Sequence, residues 1–212
     1  MKKLSIVTLI ILMSSIFIFS RCSQGQSDNT ETTKDSTQTQ TQVAALPANG
    51  GFESKVAWGK QIVAIGLCNY CHTPKKMGPA GPEADMDLAF SGASSQMPPI
   101  NVNRKEFESK GLAVTNDLEW IGPWGISYAA NITSDSTTGI GNWTEDQFIL
   151  CLRKGKYGGV AGGRNLLPPM PWLDFAQMTD DELKAVYAYL ESTKPIHNIV
   201  PQSQLPVLAM KK

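Results

Sequence analysis

Two cysteines three positions apart stand directly before a histidine in the stretch Cys68-Asn69-Tyr70-Cys71-His72. Each thiol can add to one vinyl group of a single porphyrin, and the adjacent imidazole then reaches the iron from the proximal face. C-x-x-C-H is the pattern of covalent c-type haem attachment. A C-x-x-C pair alone also suits a redox dithiol or half of a zinc site. Zinc needs further ligands, and the remaining Cys22, Cys151 and His197 do not supply a second pair. A dithiol of the thioredoxin kind belongs in a βαβ frame, which the flanking sequence lacks. The histidine next to the second cysteine selects haem.

A haem iron has a second axial position, and the methionines are the candidates. Met170 lies in Pro168-Pro169-Met170-Pro171-Trp172. The fixed φ of each proline makes a rigid strip that can present one thioether without depending on helix register. Thioether ligation stabilises Fe(II) and raises the reduction potential. Met97, in Gln96-Met97-Pro98-Pro99, is the rival, while Met178 sits too near a helix cap and is expected to pack. His197 stands alone in the tail, with nothing to favour it as a ligand.

Three helices must carry these groups. Residues 52–67 read as a helix, with Trp58, Ile62 and Ile65 on one face. Gly59 inside it costs about 1 kcal/mol relative to alanine, which points to close approach by another helix. The helix is expected to run straight into Cys68, and Thr73-Pro74 stops it. A second helix opens on the capping box Thr144-Glu145-Asp146-Gln147. Its inner stripe is Phe148, Cys151 and Leu152, with Gly155 as the stop. Cys151 reads as a small buried hydrophobe. The last helix opens on Thr179-Asp180-Asp181-Glu182, carries Leu183, Val186, Tyr187 and Leu190 on one apolar face, and ends by Pro195. Between the first two, residues 75–120 read as loop, with a short exposed helix over 104–110 and no strand. The glycine-rich turn at 158–163 lacks the Lys-Ser/Thr of a phosphate cradle and reads as a loop wrapping the haem.

The run from Trp58 to Pro74 resembles the opening of class I cytochrome c domains, and is most similar to those on haem-bearing subunits of bacterial membrane dehydrogenases. Asn131-Ile132-Thr133-Ser134-Asp135 and Thr138-Gly139-Ile140-Gly141-Asn142-Trp143-Thr144 resemble the same domains, with Ser134 where they carry proline. The resemblance covers residues 52–195. It implies an all-α class I cytochrome c fold, helices wrapped around one covalently bound haem with long loops. It places the axial methionine on a loop shortly before the last helix, where Met170 stands. It crosses the first and last helices, with Gly59 as a contact point. Residues 75–130 become an insertion covering one haem edge. Trp120, Trp124 and Trp143, with Asn131 and Asn142, either hold haem propionates or pack the core.

Lys2 and Lys3 precede an apolar run from Leu4 to Phe19, short of the about 20 residues that span a bilayer. A basic start and a short apolar stretch make an export signal. Phe19-Ser20-Arg21-Cys22 resembles the lipobox of bacterial lipoproteins, although Arg21 stands where a small residue is usual. Residues 23–49 are rich in Ser, Thr, Gln and Asp and read as a flexible tether. The expected order is a signal peptide (1–21), a lipid anchor on Cys22 with its tether (22–50), the cytochrome domain (51–195) and a tail (196–212). The chain is expected outside the cytoplasm, attached to a membrane through its N-terminus.

Nineteen basic and nineteen acidic residues balance, so there is no net field for nucleic acid. The expected role is electron transfer, with no catalysis of its own. The chain is read first as a monohaem carrier between extracytoplasmic redox partners, such as a dehydrogenase or a terminal oxidase. The alternatives are the haem-bearing subunit of a membrane dehydrogenase complex, or a haem protein that binds peroxide or a gas.

Overall fold

The computed structural model describes residues 47–207. The expected signal, Cys22, almost all of the tether and the last five residues lie outside the described residues. No described helix is long and apolar enough to cross a membrane.

Three helices build the main core. They are α1 (Lys55–Ile65), α4 (Glu145–Lys154) and α6 (Asp180–Glu191). The capping boxes read at Thr144 and Thr179 are both made, each hydroxyl accepting from the N3 backbone and each N3 side chain reaching back. Acidic residues fill both first turns, matching the positive end of the helix dipole. Gly155 closes α4 in the left-handed conformation at φ 61°. Ile62, Val63, Phe148, Leu152, Leu183, Val186 and Leu190 bury their side chains together.

Helices α1 and α6 cross at Gly59, as the resemblance implies. A Cβ there would overlap the Ala185 carbonyl of α6. This contact moves the buried face of α1 to Gly59, Ile62 and Val63, whereas Ile65, expected inside, is 69% exposed. Helix α6 ends at Glu191, earlier than Pro195. The hydroxyls of Ser192 and Thr193 donate to the carbonyls of Tyr189 and Leu190, taking up acceptors that the helix leaves open.

The insertion corrects the all-α expectation. It contains the hairpin β1 (Lys75–Gly78) and β2 (Gly81–Ala84), then a sheet of β3 (Val114–Thr115), β4 (Glu119–Gly122) and β5 (Gly125–Tyr128), all antiparallel. Glu119, Ile121, Gly122, Gly125, Ile126 and Ser127 are all buried, so neither face of this hairpin is solvated and no hydrophobic alternation appears in the sequence. Helix α3 (Arg104–Lys110) forms where expected, but it buries Glu108, which Arg104 pairs at 3.1 Å. A second small core gathers Ala93, Leu118 and Ala129. The tail crosses this region. Gln204 pairs with Ile126 by two backbone hydrogen bonds of 2.9 Å, and Arg104 donates to the Leu205 carbonyl.

Candidate functional site

Helix α2 (Cys68–His72) carries the whole C-x-x-C-H motif. It does not continue α1. Gly66 closes α1 and Leu67 turns the chain with φ 56°, so the motif forms its own short helix at an angle the local pattern did not show. A Cβ on Gly66 would sit 3.6 Å from both Cys68 Sγ and the Phe175 ring. Gly66 thus lies between the first cysteine and α5 (Trp172–Phe175), the short helix just beyond the proline strip. Lys75 closes the other end of α2, donating to the carbonyls of Tyr70 and Thr73. A cation there suits the negative end of a helix.

Cys68 and Cys71 are free thiols, both half-buried. Burial pushes Cys68 up to about 11 and also raises Cys71, against the opposing charge of Lys75. His72 is buried, and its desolvation lowers its pKa, which favours neutral imidazole. Its Nδ1 lies 2.8 Å from the Ala130 carbonyl oxygen. A carbonyl only accepts, so Nδ1 carries the proton and Nε2 keeps a free lone pair. An outer hydrogen bond of this kind orients a metal-ligating histidine and raises its basicity. Two free thiols on one turn and an oriented, neutral imidazole fit a c-type haem. Among the described residues, no group of three or more His, Cys, Asp or Glu side chains could hold a metal ion, so the zinc reading has no ligand set there.

The loop behind the motif fixes the histidine. Gly92 donates to the His72 carbonyl at 2.8 Å, and Phe90 N–H donates to Thr73 Oγ1 at 2.9 Å. Ala93 and Ile132 then tie this loop to the Ala129–Asn131 strip that offers the Ala130 carbonyl. Sequence reasoning missed Ala130, because every residue has a carbonyl and nothing in its side chain marks it. Thr73 had a signal, being a hydroxyl at the end of the motif.

Met170 and Cys68 pack against the main core, as does Met178. Met97 instead packs in the second core beside Leu118 and Ala129. A groove of about 300 Å³ runs beside Met170, lined by Leu166, Pro168, Pro169, Pro171, Trp172, Leu173 and Asp174. His197 is exposed on the tail and bonds Thr137 Oγ1 at 3.0 Å. Cys151 is buried in α4, and burial pushes its thiol to about 11. The asparagines are committed to loops. Asn131 donates to Thr138 Oγ1 and the Ile196 carbonyl, and Asn142 donates to the Ser136 carbonyl. Trp143 packs on the main core and Trp120 on the second. Trp124 donates to Ser127 Oγ.

No family model matches the chain. Curated relatives do. The gluconate 2-dehydrogenase cytochrome c subunit of Pantoea cypripedii is 38% identical over 161 residues, 76% of this chain and 27% of that protein. The fructose dehydrogenase cytochrome subunit of Gluconobacter japonicus is 37% identical over 102 residues, 48% of this chain and 19% of that protein. This chain is a homologue of the cytochrome c subunits of bacterial membrane dehydrogenases. The cytochrome c subunit of the quinone alcohol dehydrogenase of Gluconobacter oxydans is similar at 36% identity over 100 residues, 46% of this chain and 20% of that protein. The chain spans about a quarter or less of the length of these relatives. The relationship implies haem c binding and an electron-transfer role.

Proposed function

We propose that this cytochrome is the electron-transfer subunit of a membrane dehydrogenase complex, and that it carries one haem. Cys68 and Cys71 would form the two thioether links, with His72 and Met170 as axial ligands. Bound iron supplies one-electron chemistry between Fe(III) and Fe(II). The chain's own part is to hold the group, fix the imidazole and keep water away. The observation that carries the reading is the His72–Ala130 hydrogen bond, which leaves Nε2 free on a helix that also bears both thiols. The subunit reading stands ahead of the free carrier because the relatives named above are subunits of dehydrogenases. The substrates in their names belong to those proteins, and the partner of this chain is a dehydrogenase of undefined substrate. We also propose an extracytoplasmic location with a lipid on Cys22, supported by the sequence pattern of the first 22 residues.

The test uses protein matured in a host with a haem-attachment system. The pigment is expected to stay with the polypeptide in acid acetone, and to be lost in the Cys68→Ser, Cys71→Ser double variant. Met170→Ala is expected to abolish the weak red absorption band of thioether-bound Fe(III), while Met97→Ala keeps it. The opposite pattern assigns the ligand to Met97. Co-purification of a flavin, quinone or molybdenum dehydrogenase from the native host supports the subunit reading, and reduction only by a soluble carrier removes it.

A further inference from the structure

The strip around Met170 has almost no backbone donors of its own. Pro168, Pro169 and Pro171 lack an N–H, and the Met170 N–H is used on the Leu167 carbonyl at 3.2 Å. Local donors reach the carbonyls of Leu167, Met170 and Pro171, from Met170, Trp172, Asp174 and Phe175, so a bond that ties the Pro168 carbonyl to the rest of the fold needs a donor from elsewhere. One arrives from the insertion. Ser127 Oγ on β5 donates to the Pro168 carbonyl at 2.5 Å, two residues before Met170. Ser127 is 6% exposed, so water competes little for that bond.

The direction of the bond is fixed. Trp124 Nε1 lies 3.1 Å from Ser127 Oγ. An indole N–H only donates, so Ser127 accepts from Trp124 and its single proton goes to Pro168. Chained hydrogen bonds of this kind polarise one another. The support under Ser127 is firm on both sides. Trp120 of β4 faces it in the ladder, and the neighbouring Ile126 is bonded to Gln204 of the tail. At the turn, the Trp124 ring lies against Gly122, where a Cβ would collide with it. A sheet with no place in an all-helical cytochrome therefore ends in one hydroxyl directed at the ligand strip.

We propose that Ser127, held by Trp124, is a positioning residue for Met170 that keeps the thioether on the iron. The proposal rests on the reading of Met170 as axial ligand. Its chemistry is competitive. An exogenous nitrogen ligand must displace the methionine, so its apparent affinity measures how strongly the strip is held.

The experiment titrates imidazole into the ferric holoprotein and follows the thioether band, with the reduction potential as a second reading. Ser127→Ala is expected to bind imidazole about fivefold to tenfold more tightly, the order of one lost hydrogen bond, and to have a lower potential. Trp124→Phe is expected to shift both in the same direction by a smaller factor. Ser127→Thr keeps the hydroxyl and is expected to match the wild type. Unchanged imidazole affinity in Ser127→Ala and Trp124→Phe overturns the proposal, as does a Ser127→Thr variant that behaves like alanine. Met170→Ala separates the two layers. A band that survives in it removes the ligand reading itself, and the proposal with it.

Discussion

The helical part of this cytochrome and its 75–130 insertion are stabilised in different ways. The helical part is held by apolar side chains at helical spacing, by two complete capping boxes and by a backbone-close crossing at Gly59. The insertion gathers a much smaller apolar cluster, Ala93, Leu118 and Ala129, with Ile121 and Ile126 buried in its sheet. Its segments are tied instead by hydrogen bonds that cross long stretches of sequence. Asn198 on the tail donates to the carbonyls of Ser91 and Ala93, and Glu108 on α3 accepts from Val207 N–H. Both parts meet at the site, one bringing α2 and the strip, the other bringing the Ala130 carbonyl and Ser127. A small domain can thus add groups to its candidate site without enlarging its main core, provided that polar bonds tie the addition down.

The sharpest way to break this contrast is at Gly59. Gly59→Val drives a branched side chain into the Ala185 carbonyl, and the expected cost is about 3 kcal/mol, the upper end for overpacking. Urea unfolding of the variant measures it. A cost near zero would mean that the crossing yields easily and that the helical part is not the rigid one.

A smaller effect is expected at Asn198. Asn198→Ala removes the donor from two carbonyls of buried residues, for about 2 kcal/mol. Hydrogen exchange is expected to lose protection at β5 and residues 91–93 while α1 and α6 keep theirs. Equal loss in both would show that the two regions open as one unit.

The smallest effect concerns Asp135, in the loop between the regions. Hydrogen bonds from Thr138, then Thr137, hold its carboxyl well below the ordinary value of 3.8. A depressed folded-state value means that this contribution is present above pH 3.8 and is lost as pH falls below it. The thermal midpoint of the wild type should therefore fall more steeply in that acid window than that of Asp135→Asn. Parallel curves would show that the loop gains nothing from the charge.

Residues 144–155 and 179–191 were legible because their signals are local. A capping box needs only residues i and i+3, and the stripe Phe148, Cys151, Leu152 follows from helix pitch. The sheet was hidden for the opposite reason. Its central strands are buried on both faces, so the alternation that marks a half-solvated strand is missing, and the Gly122–Gly125 turn reads as loop. The two axial candidates differ in their tertiary surroundings. Met170 and Met97 stand in similar proline-rich strips, yet they join different cores.

By itself the sequence determined the chemistry offered at Cys68, Cys71 and His72, the helices beside it and the glycine at their crossing, because these depend on residue type and short spacing. Only the tertiary structure decided which carbonyl orients His72, which hydroxyl reaches the Met170 strip and how the tail ties the insertion down. Those bonds join residues between 41 and 107 positions apart. A backbone carbonyl carries no mark in a sequence, so such partners appear only when folding brings them within about 3 Å.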